Sequence, residues 1–391
     1  MLWFVLICVL QYINTNQKKC SFQQDKSIKM EEVKLMKGNE AMAEAAIRAG
    51  ADAYFGYPIT PQSEVIEYLM LEEPHKTTGM QVLQAESELA AINMVYGAAA
   101  CGKRVMTSSS SPGISLKLEG ISYMAGAELP CLIANVMRGG PGLGTIQPGQ
   151  SDYFQAVKGG GHGDYRMIVL APSTVQEMAD FVDLGFELAF KYRNPVMILS
   201  DGAIGQMMEK VTLPTQKKRL SNEEVVNRYD SWATSGKPKT RNRNIITSLD
   251  LIPERQEKHN IHLQEKYKSI EENEIRYEEI QCEDADYILV AFGSSARVSQ
   301  KVLQLGRDKG LKIGIIRPIT LWPFPTEIIA KYAGKVKGFL SVEMNAGQMV
   351  EDVRLAVNGI AQVEHYGRMG GMMSTPSEVL HALEEKIISN Y

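Results

Sequence analysis

The sequence predicts two α/β domains, the first built on a doubly wound parallel sheet. With 391 residues and an apolar fraction of 44%, the chain is too long for one average domain and apolar enough for two cores. From residue 33 to residue 201, short β-rich runs alternate with helical stretches, and Gly and Pro gather at the junctions. The same alternation resumes at residue 285, beyond a mostly polar interval.

The N-terminal run 2–10 (LWFVLICVL) is apolar but too short to span a bilayer as a helix. No basic stretch precedes it, and no small-residue cleavage signature follows it before Lys18 and Lys19. Residues 1–29 are therefore expected to be an extension outside the fold, with the working protein starting at Met30. The first domain, 30–205, has expected strands at 53–56, 80–83, 104–108, 131–136, 167–170 and 196–199. Helical spacing of apolar residues fills the segments 40–49, 63–70, 87–100 and 175–192. In such sheets ligands sit beyond the carboxyl ends of the strands, so the turns there are where chemistry is sought.

The interval 206–282 reads as a polar, partly helical connecting arm, with a charge-rich helical run at 257–280. Its apolar positions Ile261, Leu263, Tyr267, Ile270, Ile275 and Tyr277 form an interrupted stripe, the mark of a helix lying on a surface. Strands at 287–292, 312–316 and 338–342, with a helix ending near 307, make a second, smaller α/β domain over 283–391.

A formal net charge of -4 carries no basic footprint for nucleic acid and no polybasic surface for membrane docking. Cys8, Cys20, Cys101, Cys131 and Cys282 include no pair close enough to begin a zinc or iron-sulfur site. No metal centre is expected on this chain, and scattered thiols suit a reducing, cytoplasmic compartment.

Three places carry candidate chemistry. Thr60, in Tyr57-Pro58-Ile59-Thr60-Pro61, stands between a strand and a helix. It reads either as an N-cap followed by an N1 proline or as a hydroxyl presented at the ligand edge. Glu86 and Glu88 enter the first turn of an Ala-rich helix, where acidic residues complement the helix dipole. If that helix is buried, a carboxylate at its start is costly unless paired, and such a group suits sharing a proton with a ligand nitrogen. Arg138 ends a strand and precedes Gly139, Gly140, Gly142 and Gly144. A guanidinium there is shaped to grip a carboxylate, whereas the glycine cluster does not complete a dinucleotide fingerprint. No Walker A segment, nucleophile elbow or two-histidine metal pattern is present, and His162 reads as a loop residue.

These positions, in this order, resemble the pyrimidine-binding alpha subunit of 2-oxo acid:ferredoxin oxidoreductases, nearest the types acting on 2-oxoisovalerate or 2-oxoglutarate. The likeness runs from Met30 to the C-terminus through GYPITPQSE, LQAESELAAINMVYGAAACG, TSSSSPGISL, ELPCLIANVMRGGPGLG and KGGGHGDYR. The segment AFGSSARVSQKVLQLGRDKGLKIGIIRPITLWPFP resembles the transketolase-C-terminal-like domain that follows in that family.

The resemblance implies a thiamine diphosphate-binding fold of the pyrimidine type, in which Glu88 matches the glutamate that hydrogen-bonds the aminopyrimidine. Glu86 is its rival, and the register to the following V-Y-G-A favours Glu88. Thr60 matches a threonine that contacts bound 2-oxo acid, and Arg138 an arginine that pairs with its carboxylate. The family's G-D-G diphosphate segment has no counterpart here, which implies that a beta subunit holds the diphosphate and Mg2+. The resemblance also implies 4Fe-4S clusters on partner subunits, a gamma subunit, a ferredoxin-like delta subunit, ferredoxin and coenzyme A. The implied reaction is oxidative decarboxylation of a 2-oxo acid to acyl-coenzyme A and carbon dioxide, with reduction of ferredoxin. The alternatives are a component of an NAD-linked 2-oxo acid dehydrogenase and a non-catalytic scaffold subunit of the same fold.

Overall fold

The computed structural model describes residues 32–237 and 241–390, and the run at 2–10, Met30, Cys8 and Cys20 lie outside them. The first strands in chain order are β1 (Glu32–Lys37), β2 (Ala53–Gly56), β3 (Gln81–Gln84), β4 (Val105–Ser109), β5 (Cys131–Met137), β6 (Ile168–Leu170), β7 (Pro195–Asp201) and β8 (Met208–Leu213). After them come β9 (Tyr277–Ile280), β10 (Tyr287–Ala291), β11 (Ile313–Pro318), β12 (Thr320–Trp322), β13 (Gly338–Glu343) and β14 (Gln362–Gly367).

One seven-stranded sheet has the order β12-β6-β7-β5-β4-β2-β3, and a five-stranded sheet has the order β14-β13-β10-β11-β9. Strands β2 to β7 all run parallel, whereas β12 and β9 are antiparallel edge strands of their sheets. Every residue of β4, β5 and β7 is buried, as expected of parallel strands covered by helices on both faces. The chain steps outward from β2 to β3 and then returns to the other side of β2 as β4. The winding reverses between β2 and β4, and the crevice beyond the carboxyl ends at such a reversal is a ligand site.

The anticipated strands of both alternating regions are present, with ends shifted by one or two residues. Strands β1, β8, β9, β12 and β14 were not foreseen. β1 and β8 form a separate antiparallel ribbon in which half of the residues are exposed, and β14 is half-buried throughout, so neither region shows a clean apolar pattern.

Two expectations about the interval after residue 206 are corrected. The helix spans Pro253–Asn273 and stops there, because Glu274 is buried and held by Lys191 Nζ at 2.6 Å, Tyr192 OH at 2.7 Å and Arg276 at 2.9 Å. Tyr277–Ile280 then pairs with β11 as a strand. The helix is also more than a surface element. Leu263, Tyr267 and Ile270 follow an i, i+4, i+7 spacing and enter the main apolar core, leaving Ile261 exposed.

A buried polar seam joins the two sheets. The Gln150 amide group donates to Phe292 O at 2.9 Å and accepts from Ser295 Oγ at 2.7 Å and Met344 N at 3.0 Å. Asn345 Nδ2 donates to Gln150 O at 2.8 Å. Asp201 caps the helix Gly202–Gln206 through Ala203 N and Ile204 N and accepts from Ser294 N at 3.0 Å. Among the described residues no helix is long and apolar enough to cross a membrane, and Cys101, Cys131 and Cys282 are free and buried.

Candidate active site

Four neighbouring parallel strands, β3, β2, β4 and β5, deliver their carboxyl ends to one edge, and the candidate residues stand just beyond three of them. After β2 the chain turns through 57–62 before the helix Ser63–Glu72. Gln62, with no capping bond from its side chain, occupies the cap position, so the helix-start reading of Thr60 and Pro61 is corrected. The Gln62 amide is engaged elsewhere, accepting from Ser108 Oγ at 2.5 Å and donating to Tyr57 O at 3.2 Å. This ties the turn to the end of β4 and leaves the Thr60 side chain exposed.

After β3, Ser87 caps the helix Glu88–Ala100 by accepting from Ala90 N at 3.2 Å. Glu88, the first helical residue, is 6% exposed, while Glu86 is exposed. Among the described residues the Glu88 carboxylate forms no hydrogen bond and no ion pair. It lies over Gly113 at the start of the helix Pro112–Gly126, where a methyl group would collide with Ser109 Oγ and come within 2.6 Å of Glu88 Oε1.

After β5, Arg138 is also 6% exposed. Its guanidinium donates to Thr60 O at 2.9 Å and Leu143 O at 2.8 Å, and no carboxylate pairs with it among the described residues. The glycine-rich loop curls around this group. Gly139 N donates to Gln147 O, and Thr145 N to Gly139 O, so these amides serve the loop itself. His162 is an exposed loop residue.

The serine run 108–111 ends β4 and links the three places, a role the sequence reading did not assign. Ser108 holds the Thr60 turn, Ser109 adjoins Glu88, and Ser111 Oγ accepts from Arg138 N at 3.1 Å. Ser111 N donates to Asn135 Oδ1 at 3.0 Å, and Ser111 Oγ donates to Asp152 Oδ2 at 2.6 Å. Burial pushes the Asp152 carboxyl up from the usual aspartate range. Lys117 was likewise missed, and it is fully buried on the helix that begins at Pro112. The only available signal was a lysine in a helix otherwise rich in apolar and small residues.

Several polar atoms here lack partners. Ser109 Oγ, Ser110 Oγ and Arg138 Nε are buried without a hydrogen bond, a state native proteins rarely leave uncompensated. A buried carboxylate and a buried guanidinium, neither in an ion pair, share the edge with these donors. The set fits a ligand that brings a protonatable ring nitrogen and a separate carboxylate, as an aminopyrimidine cofactor and a 2-oxo acid together do.

The fold and this edge define an α/β enzyme subunit of the thiamine diphosphate-binding class. Residues 44–279 match the family described as "Pyruvate flavodoxin/ferredoxin oxidoreductase, thiamine diP-bdg", and residues 285–379 match "Pyruvate:ferredoxin oxidoreductase core domain II". The chain belongs to this family and is a subunit of a ferredoxin-dependent 2-oxo acid oxidoreductase.

It is 52% identical over 352 residues to ketoisovalerate oxidoreductase subunit VorB of Methanothermobacter thermautotrophicus, covering 90% of this chain and 97% of the relative. It is 34% identical over 374 residues to 2-oxoglutarate synthase subunit KorA of Methanocaldococcus jannaschii, covering 90% and 99%. Among solved structures, 2-oxoglutarate:ferredoxin oxidoreductase from Magnetococcus marinus, with 2-oxoglutarate, coenzyme A and succinyl-CoA bound, superposes with a TM-score of 0.78 at 28% identity. The match covers 95% of this chain and 68% of that one. A split-gene transketolase at 14% identity and a TM-score of 0.55, covering 90% and 98%, shares the fold alone. The relatives are named as subunits, so the active enzyme is a multi-subunit complex.

Proposed function

We propose that this chain forms the pyrimidine-facing half of a thiamine diphosphate site in an enzyme that converts a 2-oxo acid, coenzyme A and oxidised ferredoxin to acyl-coenzyme A, carbon dioxide and reduced ferredoxin. The observation that carries this reading is the pair Glu88 and Arg138, both buried and neither in an ion pair among the described residues, on one sheet edge. The cofactor, when bound, supplies the electron sink for cleaving the bond between the carboxyl and carbonyl carbons.

Glu88 hydrogen-bonds a pyrimidine ring nitrogen and shares its proton, a task that suits a carboxylate with no hydrogen bond to the rest of the chain. Arg138, fixed by Thr60 O and Leu143 O, holds the substrate carboxylate and so orients the carbonyl carbon toward the reacting centre. Thr60, exposed above Arg138, adds a hydroxyl to the substrate side. The orphaned Ser109 hydroxyl beside Glu88 lines the seat of the ring.

A beta subunit supplies the diphosphate and Mg2+ site, since the sequence contains no G-D-G segment, a gamma and a ferredoxin-like delta subunit complete the complex, and the 4Fe-4S clusters are held by partner subunits. The complex is placed in the cytoplasm, in keeping with its scattered thiols. The 52% identical relative is named for ketoisovalerate, so 2-oxoisovalerate is the substrate to test first and 2-oxoglutarate second. In a reconstituted complex, Glu88→Gln is expected to abolish viologen reduction dependent on 2-oxo acid and coenzyme A. Near-normal turnover would remove Glu88 from the mechanism.

A further inference from the structure

Lys117 sits one turn beyond Gly113 and one turn before Gly120 on the helix Pro112–Gly126, so the three share a face. Both glycines admit the helix Glu88–Ala100 at close range. A methyl group at Gly113 would lie 2.6 Å from Glu88 Oε1, and one at Gly120 would lie 2.7 Å from Ile92 Cγ2. Ile92 is one turn beyond Glu88, so the two helices meet along Glu88 and Ile92 on one side and Gly113 and Gly120 on the other, with Lys117 set into the seam.

The lysine is fully buried. Its Nζ donates to Thr107 Oγ1 at 2.6 Å and Ser108 O at 3.1 Å, which uses two of three N–H groups on neutral acceptors of β4. No carboxylate lies within ion-pair distance among the described residues. Burial pulls its ammonium down to about 7, and Glu88 is the one group whose charge pulls it back up. No other titratable group of β2, β4 or either helix acts on it, and Tyr54 reaches only the Ser108 hydroxyl.

Replacing a buried, unpaired ammonium with an apolar side chain of similar length is often neutral or stabilising, so packing alone gives no reason for a lysine here. We propose that Lys117 is a positioning residue for Glu88: set in the same helix seam, its ammonium holds the Glu88 carboxylate turned across Gly113 toward the ring nitrogen. This inference rests on the reading of Glu88 given above.

The test uses the assembled complex with Lys117→Met and Lys117→Arg, measuring thiamine diphosphate affinity by calorimetry, melting temperature, and the pH profile of kcat/KM. Lys117→Met is expected to assemble with an unchanged or raised melting temperature. Its cofactor affinity should fall about tenfold, and its acid limb should move up by about one pH unit, because a positive charge has been removed from beside the site. Lys117→Arg keeps the charge and is expected to restore the native limb.

A Lys117→Met complex with native affinity and a native acid limb overturns the inference. Where Lys117→Met does not assemble, Lys117→Gln, which removes the charge but can still donate to Thr107 Oγ1 and Ser108 O, decides: a displaced limb supports the role and a native one sinks it. Glu88→Gln in the same assay separates the two readings. Normal Glu88→Gln turnover fells both, whereas an inactive Glu88→Gln beside an unaltered Lys117→Met removes Lys117 alone.

Discussion

Three charged side chains at the sheet edge are buried without conventional partners. Arg138 is held by backbone carbonyls and Lys117 by a hydroxyl and a carbonyl, while Glu88 has neither. Such groups cost stability, and the Lys117 contribution has a readable pH dependence. An unfolded lysine titrates near 10.4, about three units above the position of Lys117 in the fold. Below about pH 7 it is charged in both states, and the fold bears the whole desolvation cost. Between about 7 and 10.4 the unfolded chain binds more protons than the native one, so native stability rises with pH across that window. Lys117→Met is therefore expected to be more stable than the native chain at pH 6, by a few kcal/mol at about 1.4 kcal/mol per unit. The advantage should shrink toward pH 10. Urea unfolding at a series of pH values checks this, and an advantage that grows with pH contradicts it.

At the scale of elements, the helix Pro253–Asn273 shows how a charge-rich sequence makes core structure. Most of its surface is solvated, yet one face sends Leu263, Tyr267 and Ile270 into the main cluster. Ile270→Ala is expected to cost about 2–4 kcal/mol by urea unfolding, the usual range for removing a fully buried aliphatic side chain. Ile261→Ala, on the exposed face of the same helix, is expected to stay within about 0.5 kcal/mol. Equal losses at the two positions would return the helix to the surface role that its interrupted stripe suggests. That stripe misled because Ile261, Ile275 and Tyr277 were counted with the buried set. Ile261 points to solvent, and the other two lie beyond the last helical turn.

Across the whole molecule, the site depends on two sheets being held together beneath it. Gln150 lies on the loop that follows Arg138 and bonds to Phe292, Ser295, Met344 and Asn345 from the second sheet's strand ends. Gln150→Ala strips partners from several buried groups at once, each typically worth about 1–3 kcal/mol when left unsatisfied. The expected result is a lower urea midpoint, with faster hydrogen exchange at the Ser294 and Met344 amides before global unfolding. Unchanged exchange there would show that apolar contact alone fastens the sheets.

Much of this was legible in the linear sequence. The β/α alternation implied a parallel sheet, a parallel sheet implied one ligand edge, and Thr60, Glu88 and Arg138 fell at strand ends because strand and helix periods are local properties of the chain. Tertiary structure decided which groups meet. It buried Glu88 and exposed Glu86, though the two stand only two positions apart. It also set Lys117 into the seam beside Glu88, made the serine run 108–111 the link between the three turns, and closed Gln150 onto Met344 across 194 positions of sequence. Hydrophobic periodicity reports only which way a side chain faces within its own element. Contacts between elements follow from how sheets and helices pack, and no spacing rule along the chain encodes them.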